Sequence, residues 1–183
     1  MKIKNLIVVF ALGLFMTRSH AQSPNMVKNH YLNFGPQVSY DIEQEKTLLG
    51  IGAGYEYRLT QQWGLTVNVN YNHGTNDNGQ AVFANNWAVN LLNVANHSIS
   101  AGGKFYLRRF YLSADLGYGT ERKKLQYADE RETGWEDNPG LYQCYGVGYQ
   151  FPIKNNILEI FANGNGVKAL KITSGIRLNF KLN

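Results

Sequence analysis

Strict alternation of apolar and polar residues in segments of about ten residues points to an all-β fold that crosses a membrane with strands. The composition agrees, with 12 Tyr, 19 Gly and 13% aromatic residues. The predicted class is a closed antiparallel up-and-down transmembrane β-barrel of about eight strands, preceded by a cleaved signal peptide. The stretch from Leu48 to His73 shows the pattern most plainly. Leu49, Ile51, Ala53, Tyr55, Tyr57 and Leu59, then Trp63, Leu65, Val67, Val69 and Tyr71, share one parity. Gly50, Gly52, Gly54, Glu56 and Arg58, then Gly64, Thr66, Asn68, Asn70 and Asn72, share the other. A soluble carrier barrel would turn its apolar side inward, because water lies outside. Here the polar side carries glycine, asparagine and an ion pair suited to a narrow lumen, while Tyr57, Trp63 and Tyr71 suit the headgroup belt. A short turn at Thr60–Gln62 joins the two strands.

The N-terminus explains part of the charge. Lys2 and Lys4 precede an apolar run from Leu6 to Met16, and Ser19-His20-Ala21 supplies small residues at a cleavage site. Residues 1–21 therefore read as a signal peptide, residues 22–30 as a periplasmic lead-in and residues 31–183 as the barrel. The apolar run is shorter than the roughly 20 residues a membrane helix needs. Removing Lys2, Lys4 and Arg18 lowers the formal net charge from +5 to +2. With no basic patch interleaved with aromatics, nucleic acid is not an expected partner. Cys144 is the single cysteine, so no intrachain disulfide can form.

The remaining elements follow the same alternation. The first strand is expected at Tyr31–Tyr40, with a bulge or strand end at Pro36, which cannot donate to a ladder. Asp41–Thr47 reads as the first outer loop. After His73 comes a Gly/Asn-rich loop, then AVFANNWAVNLLNVAN, in which Phe83, Trp87, Leu91 and Val94 fall near helical spacing. Trp87, Val89 and Leu91 equally fit a strand standing above the membrane, and periodicity does not choose between them. Ser98–Leu107 and Phe110–Thr120 form a hairpin around Arg108-Arg109, and Glu121–Pro139 reads as a long, mixed-charge outer loop. The sixth strand is Leu141–Phe151 and the seventh Ile157–Asn163, with Glu159 and Phe161 inward. The last, Leu170–Leu182, places Lys171, Thr173, Gly175, Arg177, Asn179 and Lys181 inward. Short inner turns alternate with longer outer loops, as outer-membrane barrels require.

With its leader, its alternation and a final strand GIRLNFKL carrying Phe180, the chain resembles the small eight-stranded outer-membrane proteins of the OmpA/OmpX-like type. These are the outer membrane protein beta-barrel domain family of gram-negative bacteria, and the resemblance spans Tyr31 to Asn183. It implies residence in the bacterial outer membrane, among outer-membrane lipid and lipopolysaccharide. It also implies that insertion machinery reads the last strand, which in the family usually ends in an aromatic. Here Lys181, Leu182 and Asn183 follow Phe180, a departure from that pattern. With no peptidoglycan-binding domain after the barrel, an anchoring role is not expected.

Three sets of residues could carry chemistry. In the lumen, Glu56, Asp115 and Glu159 face Arg58, Lys104, Arg177 and Lys181, and eight strands leave room only for side chains. Buried charges must pair, so these read as a plug, with a narrow small-solute channel as the alternative. Among histidines, His73 and His97 sit at outer strand ends beside Ser98 and Ser100. Some eight-stranded outer-membrane enzymes modify lipid A with a histidine–serine set, but His97 and Ser98 point to opposite faces of one strand. A lipid-A-modifying enzyme is thus a second alternative, and no catalytic residue is assigned. The acidic loop residues lack metal-ligand spacing, and Gly52–Gly54 opens no helix, so no metal or cofactor is expected. Phe83, Trp87 and Leu91 form the candidate partner-binding loop, since apolar groups in an outer loop mark an interaction site; packing on the barrel rim or into the lipid interface is the competing reading. The function expected is structural or surface-interacting, adhesive in kind, carried by extracellular loops of a monomer that is not an enzyme.

Overall fold

A computed structural model of the chain describes residues 29–75, 81–84, 87–127 and 134–182. The strands are β1 (Asn29–Asp41), β2 (Lys46–Arg58), β3 (Trp63–Thr75), β4 (Ala81–Ala84), β5 (Trp87–Leu107), β6 (Phe110–Tyr127), β7 (Glu136–Ile153), β8 (Asn156–Gly166) and β9 (Lys171–Leu182). Each pairs antiparallel with its neighbours, and β3 pairs with β5 while β1 pairs with β9. Eight strands therefore close on themselves, which removes every sheet edge within the membrane. β4 pairs with β5 alone and lies outside that ring. The expected signal peptide, residues 1–21, and most of the expected lead-in, residues 22–30, fall outside the described residues, and β1 starts at Asn29.

Three tight connections fall at the end of the barrel where Asn29 faces Arg58 and His30 faces Leu182. They follow β2, β5 and β7. Arg108 and Lys154 adopt φ of 62° and 54°, the left-handed conformation that short hairpin turns require. Short turns mark this as the periplasmic end, so the opposite rim faces outward from the cell.

Alternation fixes the faces. Val67 is 45% exposed while its chain neighbour Asn68 is 6% exposed. The contrast recurs around the ring: Leu49, Ile51, Ile99, Leu116, Tyr145 and Ile176 are exposed on the lipid side. Glu56, Lys104, Asp115, Glu159 and Arg177 are buried in the lumen. Lys181 departs from the expected inward parity; at the inner end of β9 it is exposed. Pro36 produces neither a bulge nor a strand end. β1 runs through it in unbroken register with β2, and only its pairing to β9 lapses, at Gly35 and Pro36, before resuming in the same register. The missing N–H is absorbed by a local gap in one ladder.

Strand lengths are unequal in a directed way. β1, β2 and β3 have 13 residues each and β8 and β9 have 11 and 12, whereas β5 has 21 and β6 and β7 have 18. All eight ring strands have one end at the periplasmic rim, so the surplus of β5, β6 and β7 projects beyond the outer rim. The expected loops at Gly74–Asn96 and Glu121–Pro139 are therefore largely strand, and the loop expected at Asp41–Thr47 shrinks to the turn between Asp41 and Lys46.

The interior is crowded enough for glycine to be required at specific places. A Cβ on Gly148 would collide with ring atoms of Tyr111, which is itself buried. Gly148→Ala is expected to destabilise the barrel by about 1–3 kcal/mol through overpacking. Gly134→Ala, where a Cβ meets no atom within 4 Å, should leave urea unfolding in lipid vesicles unchanged.

Candidate functional site: the filled lumen and the outer wall

The inner half of the lumen is closed by one ion cluster. Lys104 Nζ on β5 donates to Glu56 Oε2 on β2 at 3.3 Å and to Glu159 Oε2 on β8 at 2.8 Å. Arg58 Nε donates to Glu56 Oε1 at 2.6 Å, and Arg58 Nη2 donates to Gln150 Oε1 at 2.8 Å. Two phenols complete the carboxylates: Tyr106 Oη donates to Glu56 Oε1 at 2.5 Å and Tyr111 Oη to Glu159 Oε1 at 2.7 Å. Gln150 Nε2 donates to the other oxygen of Glu159 at 3.2 Å. Glu56 and Glu159 are wholly buried and Lys104 is 3% exposed. Charges so far from solvent persist because each oxygen is met by a donor. The rings also act as walls. Arg58 lies over Tyr31 and Tyr106, Lys104 over Tyr111, and Arg177 over Phe161 at 4.1 Å.

Asp115 and Arg177 stand apart from this cluster. Asp115 accepts from Thr66 Oγ1 at 2.7 Å and Asn68 Nδ2 at 3.3 Å. Arg177 Nη2 donates to Asn70 Oδ1 at 3.4 Å. Both border a narrow polar chamber with Ser100, Asn163 and Cys144. Of the charged lumen residues named from sequence, Glu56, Arg58, Lys104 and Glu159 form one cluster, whereas Asp115 and Arg177 are held by neutral groups.

A second buried cluster lies near the outer mouth, and of its three charges only Lys171 is placed inward by the sequence. Lys171 on β9 pairs with Glu121 on β6 and with Asp41 on β1 at 3.5 Å. Ser39 and Thr173 share a hydrogen bond of 2.6 Å beside it, and Asn165 Nδ2 donates to Thr173 Oγ1 at 2.7 Å. Above the polar lumen, Leu48 and Val94 pack together, both essentially without exposure. Asp41 and Glu121 carry the inward parity of their strands, which was the available signal. Both stand next to polar segments, where charge ordinarily marks a loop.

The serine–histidine alternative finds no support in the geometry. His97 is exposed and Ser98 buried in the lumen, so the two side chains leave the strand on opposite faces. Among the described residues, no group of three His, Cys, Asp or Glu side chains could hold a metal ion.

The candidate partner-binding residues lie on a wall and not in an irregular loop. Phe83 is on β4 opposite Ala88, Trp87 opens β5 opposite Ala84, and Leu91 pairs with Leu125 of β6. Their side chains lie outside the described residues. β5 extends over residues 87–92 beyond its last pair with β3 at Asn93, or about 20 Å of strand. A shift in register between Leu91 and Asn93 marks the level where this wall leaves the barrel. Lower down, Arg122 Nε donates to Asp137 Oδ1 at 2.7 Å and its guanidinium lies over Trp135, tying β6 to β7.

Residues 7–158 match the model of the family described as outer membrane protein beta-barrel domain. Among solved structures, Ail, the attachment invasion locus protein of Yersinia pestis, in complex with the heparin analogue sucrose octasulfate, is similar with a TM-score of 0.61. It is 14% identical, and the match covers 85% of this chain and 100% of that one. The N-terminal β-barrel domain of Pseudomonas aeruginosa OprF gives 0.54 at 12% identity, covering 83% and 97%. Neisserial surface protein A gives 0.50 at 11% identity, covering 84% and 96%. At these identities the likeness is one of fold. No curated protein sequence matches the chain.

Proposed function

The chain belongs to the outer membrane protein β-barrel domain family, and on that footing we propose that it is a surface-interaction protein whose closed barrel holds a β-sheet wall outside the cell. The observation that carries this reading is the directed excess length of β5, β6 and β7 over a lumen filled by ion pairs. About ten residues suffice to cross the membrane. The extra strand has no role in crossing, and its β4 edge is the kind of surface to which another chain adds. A single chain closes its own sheet, so a monomer surrounded by lipid and lipopolysaccharide is sufficient. Ail takes a sulfated polyanion, but acidic residues outnumber Lys and Arg in this chain's outer segments. A protein surface is therefore the better partner here. No catalytic role is proposed.

The test compares bacteria expressing the protein with bacteria expressing a variant in which residues 77–92 are replaced by a Gly-Ser-Gly link. Cells are scored for clumping and for retention on a protein-coated surface. The full chain should raise one of these several-fold. The shortened variant should lose the effect while keeping its heat-dependent gel mobility. Equal behaviour of the two strains, with both barrels folded, would remove the wall from the function.

A further inference from the structure

We propose that the periplasmic half of the barrel's lipid-facing surface holds a specific site for an acidic phospholipid of the inner leaflet. An apolar groove of about 710 Å³ runs along the outward face from β3 to β8. That volume lies within the roughly 300–1,000 Å³ of small-molecule pockets. Its floor is low because Gly103, Ala114 and Ala162 present almost no side chain, and bulky Trp63, Phe105 and Tyr145 form its flanks. Trp63 and Phe105 meet with ring centroids 4.8 Å apart at its inner end. The lining follows one cross-strand line, Trp63–Phe105–Leu112–Val147–Ala162, so the trough accepts a linear acyl chain that crosses the tilted strands as it rises from the inner rim.

Charge identifies the headgroup. The groove reaches the inner rim beside the β5–β6 turn, where Phe105 pairs with Leu112 and Leu107 with Phe110. Arg108 and Arg109 make that turn and Lys154 makes the β7–β8 turn next to it, all three exposed, with Lys181 exposed on the same rim. Among the described residues no exposed carboxylate lies at that end, since Glu56 and Glu159 are buried and the other acids lie higher in the lumen or at the outer mouth. A phosphate or phosphoglycerol group at the inner surface meets these cations, while its chain enters the groove. Lipid A of the outer leaflet sits at the opposite end and cannot use these residues.

Trp63 reports on the site directly. In the W87F/W135F variant it is the single tryptophan, and the full chain is reconstituted in phosphatidylcholine vesicles containing either brominated phosphatidylglycerol or brominated phosphatidylcholine at equal mole fraction. Brominated phosphatidylglycerol should quench Trp63 with about fivefold greater apparent affinity, the preference that one interfacial cation supplies. R108Q/R109Q/K154Q should abolish the preference, and Ala114→Leu, which fills the groove but keeps the cations, should abolish it too. Gel mobility confirms that each variant is folded. Equal quenching by the two lipids overturns the proposal outright. A preference surviving Ala114→Leu would also overturn it, because the headgroup would then bind without the groove.

Discussion

Lys104→Met is expected to lower the unfolding free energy of the barrel by about 3–5 kcal/mol, the cost of removing one partner from a buried ion pair. The size follows from what each carboxylate keeps. Glu56 retains Arg58 at 2.6 Å and the Tyr106 hydroxyl. Glu159 keeps only neutral hydrogen-bond donors, Tyr111 and Gln150, with Arg177 opposite it on β9 beyond ion-pair distance, so the less compensated charge is its own. The double variant Lys104→Met/Glu159→Gln should therefore recover a large part of the loss, since both charges leave together. Urea titration of protein folded in vesicles, followed by gel mobility, measures both. A single-variant cost below about 1 kcal/mol, typical of exposed pairs, would mean that the cluster is hydrated and loose. A double variant weaker than the single one would break the assigned coupling.

The second large effect is on the other face. Val67→Arg places a charge near mid-bilayer and should cost about 2–4 kcal/mol. Asn68→Ser, one residue along, keeps a donor toward Asp115 and should cost less than about 1 kcal/mol. The comparison controls for position along the strand, because the two sites differ only in which face they occupy. Unfolding of the same vesicle samples gives the answer, and equal effects would contradict the assignment of faces.

Those faces were legible because lipid and lumen demand opposite chemistry at every second residue. The same rule reached the irregular β8, where Glu159 and Phe161 are inward. It was less informative where the chain leaves the membrane. Phe83, Trp87 and Leu91 mimic helical spacing because the first lies on β4 and the others on β5, two antiparallel strands whose separate parities sum to a false period. Asp41 and Glu121 look like loop residues because charge near a strand end ordinarily meets water; here Lys171 from a strand distant in sequence meets both. Composition locates a strand's face, whereas the partner of a buried charge depends on closure of the whole ring. Pro36 shows the converse: a local rule against proline in a ladder yields to a register held by β2 on its other side.

If a closed barrel holds a wall outside the cell, cysteine labelling of intact cells distinguishes the two parts. Cys144, 5% exposed, faces the lumen chamber, and Ala88→Cys adds a second thiol on the β4–β5 hairpin. With a membrane-impermeant maleimide, the introduced thiol should label in intact cells while Cys144 stays unreacted until the protein is unfolded. Labelling of Cys144 as fast as the introduced thiol would mean a lumen open to water. Protection of the introduced thiol until the outer membrane is broken would put the wall on the periplasmic side.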